Sequence, residues 1–181
     1  PSTAKWPEAT APRAMFHLET KPLVSGRPTM LIEASESGLT RITWSTDSPA
    51  ASGSADSEGH LEECREWVRA YFAGKPARAP TLDLSMLTPF QADVVNSLQR
   101  IAPSGTVISY ADLASAAGRP GASRAVGTVM ATQPWPLLVP CHRVVRADWR
   151  IGNYSACEGE ATKEWLLSHE GNRIRKGRLI R

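Results

Sequence analysis

The sequence predicts an α+β protein, with a small N-terminal domain of sheet and helix followed by a mostly helical C-terminal domain that contains a helix-turn-helix. Stretches with strand character occur only within residues 1–45, whereas helical periodicity dominates from residue 61 onward. A connector with prolines, residues 76–87, separates the two parts. Strands that precede a run of helices are typical of the α+β class, and 181 residues suffice for one ordinary domain and a smaller one.

The N-terminal domain is predicted to span residues 14–75, after an irregular leader over residues 1–13. Approximate alternation, with many β-branched and aromatic side chains, favours three strands. These strands are predicted at residues 15–20, 28–34 and 39–45. Ser, Ala, Gly and Asp dominate residues 46–59, which indicates a loop. Residues 61–74 carry one apolar helical face and end in a glycine, which predicts a helix.

The C-terminal domain, residues 88–181, opens on a strong helix signal. Thr88 stands at the N-cap, Pro89 at the first helical position and Gln91 at the third. This spacing predicts a capping box, in which the side chains of Thr88 and Gln91 each bind the other's backbone N–H group. Apolar residues at helical spacing continue to residue 101, so a helix over residues 88–101 is expected.

Residues 109–133 carry the pattern of a helix-turn-helix. Ser109 and Asp112 mark a helix start, the helix is predicted to end at Gly118, and a Gly/Pro turn leads to a second helix over residues 122–133. The second helix is rich in small residues and carries one long cation, Arg124. Small residues permit close approach to a nucleic-acid duplex into which Arg124 could reach. The alternative is a tightly packed core helix with Arg124 exposed.

Composition excludes several classes of protein. No run of about 18 apolar residues exists, so no membrane span is expected. The first 14 residues lack the apolar core of a signal peptide. The three cysteines Cys64, Cys141 and Cys157 are odd in number and scattered, which disfavours a disulfide framework and favours free thiols inside a cell. With no Cys-x-x-Cys pair and four scattered histidines, no metal site is expected.

The charge is distributed unevenly along the chain. Residues 1–87 carry 9 basic and 11 acidic residues (net −2), whereas residues 88–181 carry 12 basic and 7 acidic residues (net +5). The last eleven residues, GNRIRKGRLIR, contain five basic residues and no acidic one. This asymmetry favours a polyanionic partner such as nucleic acid for the second half, and the alternative is a solvated basic tail.

Cys141 stands next to a histidine and an arginine in the stretch VPCHRVV. An ordinary thiol, with a pKa of about 8.5, needs a nearby base or positive field to act as a nucleophile at neutral pH. His142 supplies a base, but adjacent side chains do not face each other, so a bridging water is expected between the two. Glu170 is the candidate that orients His142. The alternative is a buried, inert Cys141 beside a structural histidine.

These motifs together resemble the O6-alkylguanine-DNA alkyltransferase family, the methylated-DNA–protein-cysteine methyltransferases. VPCHRVV resembles the family's active-site motif, and GTVISYADLASAAGRPGASRAVGTVM resembles its helix-turn-helix. IGNYS is similar to its substrate-loop motif and KEWLLSHEG to its closing helix. The resemblance covers residues 88–173, whereas the first 75 residues match only in general layout.

The resemblance implies a reaction in which an O6-alkylguanine is flipped out of duplex DNA and its alkyl group passes irreversibly to Cys141, once per molecule. His142 would act as the base through water, and Glu170 would orient it. Tyr110 would bind the flipped guanine and support its departure. No cofactor is implied.

The resemblance also implies residues that bind the lesion and the DNA. The backbone N–H of Ser155, next to Tyr154, would contact O6, and the carbonyls of Cys141 and Val144 would accept hydrogen bonds from the exocyclic amine. Arg124 would fill the gap in the base stack. The other positions that correspond to DNA contacts are Gln91, Ala111, Arg119, Ala122 and Ser123. The implied partner is double-stranded DNA with O6-alkylguanine, bound by a monomer in the cytoplasm or nucleoid of a bacterium or in a eukaryotic nucleus.

Three departures from the family pattern stand out. Gln133 replaces the asparagine that ties the DNA-reading helix to the active-site turn, and adds a methylene to it. Ala156 and Cys157 replace two glycines after Ser155, although both disfavour positive φ. The zinc ligands that some members carry in the N-terminal domain are absent. A non-catalytic protein that binds alkylated DNA is therefore the alternative function, and a Cys-His hydrolase is a weaker third.

Overall fold

The computed structural model describes residues 13–17, 29–45 and 58–180, and it confirms the α+β class. An antiparallel sheet has the order β1–β2–β3, formed by Arg13–His17, Thr29–Ser35 and Gly38–Ser45. Helix α1 spans Glu58–Phe72. The predicted leader through residue 12, and residues 46–57 of the predicted loop, lie outside the described residues. Among the described residues, no helix is long and apolar enough to cross a membrane.

The C-terminal part is mostly helical, and its elements are short. Helix α2 covers Pro89–Ile101, α3 covers Tyr110–Ala116, α4 covers Ser123–Thr132 and α5 covers Glu160–His169. Strand β4 (Ile108–Ser109) pairs in parallel with β5 (Val144–Val145). Strands β6 (Ile174–Arg175) and β7 (Arg178–Leu179) form an antiparallel hairpin. Among the described residues, 3₁₀ turns occur at Leu84–Met86 and Cys141–Arg143.

Both predicted capping boxes are present. The Thr88 and Gln91 side chains bind each other's backbone N–H groups at the start of α2, and Ser109 and Asp112 do the same at the start of α3. Helix α3 ends two residues before the predicted Gly118, because Ala117 caps it and Gly118 adopts a φ of 71° that leaves the helical region. At the end of α5, His169 is exposed and stacks on Trp165.

The connector pairs with the sheet. The backbone of Leu39 exchanges hydrogen bonds with the carbonyl of Thr81 and the N–H of Asp83, both 2.9 Å. A side chain at Gly38 would place its Cβ 2.8 Å from the Thr81 carbonyl oxygen, so only glycine permits this approach. The domain boundary near residue 75 stays a prediction.

The sheet also supports the segment that leads to Cys141. Trp135 is buried and donates from its indole Nε1 to the carbonyl of Leu39 at 2.7 Å, and the N–H of Ile42 donates to the carbonyl of Pro134 at 2.8 Å. One continuous set of buried apolar side chains extends from β2 and α1 through α2 to α5. The N-terminal sheet therefore holds the chain between α4 and the Cys141 turn in a fixed place.

Candidate active site

Cys141 begins a 3₁₀ turn and is only 4% exposed. Its N–H donates to the carbonyl of Val139 at 2.7 Å, and its own carbonyl accepts from the N–H of Val144. Burial raises the pKa of the Cys141 thiol, and the positive charge of Lys163 and a hydrogen bond from Gln133 offset part of that rise. The resting sulfur is therefore a protonated thiol that needs a base.

His142 is fully buried, and its Nε2 lies 2.8 Å from Oε1 of Glu170. Because an ionised carboxylate only accepts hydrogen bonds, Nε2 carries the proton and Nδ1 holds the free electron pair. Burial lowers the pKa of His142, so the ring is neutral at pH 7. Its Nδ1 has no hydrogen-bond partner among the described residues. His142 is thus a neutral base with a free Nδ1.

Glu170 is the C-cap residue of α5, and its carboxylate accepts hydrogen bonds from α1, from the Cys141 turn and from the N–H of Gly105. Arg143 binds it in a bidentate pair, with Nη2 2.7 Å from Oε1 and Nε 2.9 Å from Oε2. The hydroxyl of Tyr71, from α1, donates to Oε1 at 2.8 Å. Burial alone would raise the pKa of Glu170, but the hydrogen bonds from His142 and Arg143 outweigh burial and hold it well below its usual range. Glu170 therefore remains ionised.

Lys163 is a functional candidate that the sequence analysis missed. It is fully buried, and its Nζ donates to the carbonyl of Val144 at 2.7 Å and contacts that of Asn153 at 3.5 Å. Burial lowers its pKa to about 8, while the field of Cys141 acts in the opposite direction. A lysine amid the apolar residues of α5 is the signal that could have revealed it, since a buried lysine is rare without a specific role.

Gln133 links the sulfur to the chain that follows α4. Its Nε2 donates to Sγ of Cys141 at 3.3 Å, and its Oε1 accepts from the N–H of Trp135 at 2.7 Å. The glutamine side chain thus spans the sulfur and the backbone at once. This geometry is compatible with the predicted role of Gln133, a structural hinge that ties the DNA-reading helix to the active-site turn, and adds a direct contact with the nucleophile.

We expect Gln133→Leu to raise the pKa of the Cys141 thiol, because its side-chain N–H donor is lost. The buried Trp135 N–H loses its acceptor as well, which should lower the free energy of unfolding by roughly 1–3 kcal/mol. The rate of alkylation by iodoacetamide against pH, in a Cys157→Ser background, measures the thiol pKa. Gln99→Leu, which removes a longer side-chain contact of 3.5 Å, serves as control. An unchanged pKa in Gln133→Leu would contradict the assigned contact.

One cavity of about 280 Å³ adjoins the sulfur. Its lining residues are Tyr110, Gly127, Met130, Ala131, Cys141, Asn153, Tyr154 and Ser155. The structure thus brings three predicted lesion-binding residues to one space with Cys141, and α4 contributes a wall of the same space. Burial, followed by the field of Cys141, raises the pKa of Tyr110, so its hydroxyl stays protonated and able to donate.

The carbonyl groups predicted to bind the lesion already have one partner each. The carbonyl of Val144 accepts from Lys163, and that of Cys141 accepts from the N–H of Val144. Each oxygen keeps a second lone pair. The hydroxyl of Tyr154 is buried and has no hydrogen-bond partner of standard geometry among the described residues. It lies close enough to the Cys141 thiol to offset part of the rise in the pKa of that thiol.

The predicted DNA contacts lie on α2, α3, α4 and the turn between the last two. Arg124 is exposed in the first turn of α4, and Arg119 is exposed in the turn. Ala111 is exposed, whereas Ala122 and Ser123 are half-buried. The Gln91 amide oxygen is occupied by the capping box. These residues do not line the cavity, but Arg124 precedes Gly127 of its wall by one helical turn.

The loop after Ser155 contains Ala156 and Cys157 in place of glycines, yet Cys157 keeps a backbone conformation typical of glycine. Cys157 adopts a φ of 49°, a region that residues with a side chain seldom enter. Its thiol is free and exposed. A second cavity of about 270 Å³ borders this loop at Ala156 and Cys157 and shares Ala131 and Ser155 with the first. No set of three potential metal ligands occurs in the part of the chain that the structure describes.

Comparisons with known proteins find similar sequences and structures in one family. A family model described as 6-O-methylguanine DNA methyltransferase, DNA binding domain, matches residues 89–172. The rat protein named methylated-DNA–protein-cysteine methyltransferase is 42% identical over 146 residues, which cover 75% of this chain and 69% of the rat protein. This chain belongs to the 6-O-methylguanine DNA methyltransferase family. The matched segment contains the Cys141 turn, Lys163 and Glu170.

Other family members are similar in sequence or in structure. The human protein of the same name is 43% identical over 122 residues, 64% of this chain and 58% of the human one. The crystal structure of Mycobacterium tuberculosis OGT in complex with DNA has a TM-score of 0.65 and 31% identity, and covers 78% of this chain and 86% of that one. A crystal structure of the M. tuberculosis O6-methylguanine methyltransferase has a TM-score of 0.70 at 27% identity, and the match covers 91% of this chain and 96% of that one. The family fold therefore extends into the N-terminal part.

Proposed function

We propose that this protein repairs DNA by transferring the alkyl group of an O6-alkylguanine to Sγ of Cys141, one event per molecule. One observation carries the proposal. The buried sulfur adjoins a cavity with Tyr110, and the neighbouring His142 is a neutral base whose proton-bearing nitrogen is fixed by the ionised Glu170.

The proton of the thiol leaves first. Nδ1 of His142 takes it through a bridging water, and the carboxylate of Glu170 stabilises the resulting imidazolium. The buried ammonium of Lys163 stabilises the thiolate that remains. This division of labour follows the general pattern of an activated cysteine with a base that a third group orients.

The thiolate then attacks the alkyl carbon. A C–S bond forms, the bond between that carbon and O6 breaks, and the electron pair stays on the guanine. The protonated hydroxyl of Tyr110 donates a hydrogen bond to the departing base. The thioether is stable, so Cys141 is not regenerated and neither a cofactor nor turnover is expected.

The lesion reaches the cavity by leaving the base stack. A base inside a duplex cannot approach a sulfur that is 4% exposed, so the nucleotide must be extruded. Arg124, which is exposed in the first turn of α4, would replace it in the stack. The N–H of Ser155 and the free lone pairs of the Cys141 and Val144 carbonyls supply contacts for O6 and the exocyclic amine. Double-stranded DNA is therefore the partner, and a monomer suffices because every named group belongs to one chain.

An intact-mass measurement tests the proposal. The protein is incubated with a several-fold excess of duplex DNA that carries one O6-methylguanine per molecule. The expected result is a mass increase of one methyl group per protein and repair of an equal number of lesions. Tight binding to the lesion without an adduct would select the alternative, a non-catalytic protein that binds alkylated DNA. Repair of many lesions per protein would contradict the single event.

A further inference from the structure

The last described segment, residues 173–180, forms a strongly basic hairpin that the proposed reaction does not use. Strands β6 and β7 meet in a turn at Lys176 and Gly177, whose φ values of 52° and 68° are those of a tight two-residue hairpin. Arg173, Arg175, Lys176 and Arg178 are all exposed. Within the part of the chain that the structure describes, none of these four cations forms an ion pair.

This basic hairpin is fixed to the loop before the cavity. The N–H of Ile151 donates to the carbonyl of Gly177, and the N–H of Leu179 donates to that of Trp149, both at 3.0 Å. The N–H of Ile180 closes the hairpin at 2.8 Å on the carbonyl of Arg173. Two residues after Ile151, the chain reaches Asn153, which lines the cavity beside Cys141. The hairpin cations are thus held in place near the cavity.

Like charges face each other across the hairpin. Arg175 is directly opposite Arg178 in the antiparallel register, and Arg178 also bridges to Arg150 on its other side. Directly opposed like charges destabilise a pair of strands, so this arrangement costs stability in the isolated protein. A polyanion placed against the hairpin would remove that repulsion.

The acidic residues around the hairpin do not neutralise it. Asp148 pairs with Arg150 at 3.4 Å and with Arg146 at 3.9 Å, which leaves both arginines more than 60% exposed. The carboxylate of Glu160 faces the turn, where a Cβ built on Gly177 would lie 3.2 Å from its Oε1. Among the described residues, the hairpin and the loop of residues 146–150 that pairs with it carry six cations, against the carboxylates of Asp148 and Glu160.

We propose that the basic hairpin binds phosphates of the DNA duplex that carries the lesion, as a contact separate from α3 and α4. Arginine side chains suit phosphates because their planar guanidinium groups donate two parallel hydrogen bonds. The hairpin lies beside the loop that leads to the cavity, so it meets the phosphates that flank the extruded nucleotide. This inference rests on the proposed binding of double-stranded DNA.

The double variant Arg175→Gln/Arg178→Gln tests the inference. The dissociation constant for a lesion-bearing duplex is measured over a range of salt concentrations. The matched control is Lys75→Gln/Arg78→Gln, which removes two exposed cations at the start of the connector and just before it. The logarithm of the binding constant falls linearly with the logarithm of the salt concentration, and each phosphate contact adds about 0.9 to the steepness of that fall. We expect the hairpin variant to lose about 1.8 from that slope and roughly tenfold in affinity at low salt, and the control to lose neither.

A second measurement separates this inference from the proposed function. The rate of alkyl transfer from the free base O6-benzylguanine needs no DNA, so it should be unchanged in the hairpin variant, which also shows that the variant is folded. An unchanged salt slope in the hairpin variant, or an equal loss in the connector control, overturns the hairpin inference. Failure of the unmodified protein to become methylated by the O6-methylguanine duplex would instead count against the proposed alkyl transfer, whatever the salt slopes.

Discussion

Replacing Glu170 by glutamine is expected to slow alkyl transfer about a hundredfold or more. The variant loses the carboxylate that holds the proton on Nε2 of His142 and stabilises the imidazolium, and general base catalysis contributes roughly 10²–10⁴ in rate. A single-turnover experiment with O6-methylguanine duplex measures the rate. Glu66→Gln is the control, since Glu66 is exposed on α1.

The same change should destabilise the fold. The carboxylate also pairs with the buried Arg143, and removing one partner of a buried ion pair costs roughly 3–5 kcal/mol. For a chain of this length that corresponds to a fall in Tm of roughly ten degrees, which thermal unfolding at pH 7 would detect. For Glu66→Gln we expect a Tm within about two degrees of the unchanged protein. The same small change in Glu170→Gln would contradict a stabilising role for the pairing of Glu170 with His142 and Arg143.

The pH dependence of stability gives the sign of the Glu170 contribution. Its pKa in the folded protein is far below the value of about 4.3 for an unfolded chain. The stability that its ionised form supplies is therefore present above about pH 4 and is lost as the pH falls toward the folded pKa. Glutamine does not titrate, so the free energy of unfolding of the variant should fall less between about pH 5 and pH 3. An identical acid dependence in both proteins would argue against the assignment.

Replacing Lys163 by methionine is expected to give the second large effect. Methionine fits the buried site of the lysine but carries no charge, so the thiolate of Cys141 loses the cation that stabilises it. We expect the pKa of the Cys141 thiol to rise by about one unit or more and alkyl transfer to slow by about tenfold or more, since one pKa unit corresponds to 1.36 kcal/mol. The pH dependence of iodoacetamide alkylation in a Cys157→Ser background reports the thiol pKa.

A control separates the Lys163 charge from packing. Lys176→Met removes an exposed cation of the hairpin and should leave the thiol pKa unchanged. Replacing a buried charge by an apolar side chain of similar volume is often neutral for stability. A reduced rate with an unchanged thiol pKa would mean that Lys163 acts by holding the Val144 and Asn153 carbonyls rather than by its charge.

Local signals predicted the helices and strands well where they were strong. The starts of α2 and α3 follow from their capping boxes, and β2 and β3 follow from alternation over seven or eight residues. The contact of the connector with β3 was not predictable, because it depends on a backbone approach at Gly38 between distant parts of the chain. The sequence predicted a basic C-terminal segment, with a nucleic-acid partner or a solvated tail as alternatives, but not its hairpin, since strands of two residues show no periodicity.

The candidate site was predictable in its named residues and not in its network. Cys141 and His142 attract notice by their chemistry, Glu170 was the candidate that orients His142, and the resemblance implies the same pairing. Tyr71 belongs to α1 and reaches Glu170 only through the tertiary fold, so nothing in its local sequence indicates that contact. Lys163 had a local signal, a cation on an apolar helical face.

The most direct test of the central claim is to locate the alkyl group after reaction with O6-methylguanine duplex. The protein is digested and its cysteine peptides are analysed by mass spectrometry, with Cys141→Ser and Cys157→Ser as variants. We predict methyl only on the peptide with Cys141, no methylation in Cys141→Ser, and full methylation in Cys157→Ser. Methyl on Cys157, or methylation that persists in Cys141→Ser, would contradict the assignment of Cys141 as the acceptor.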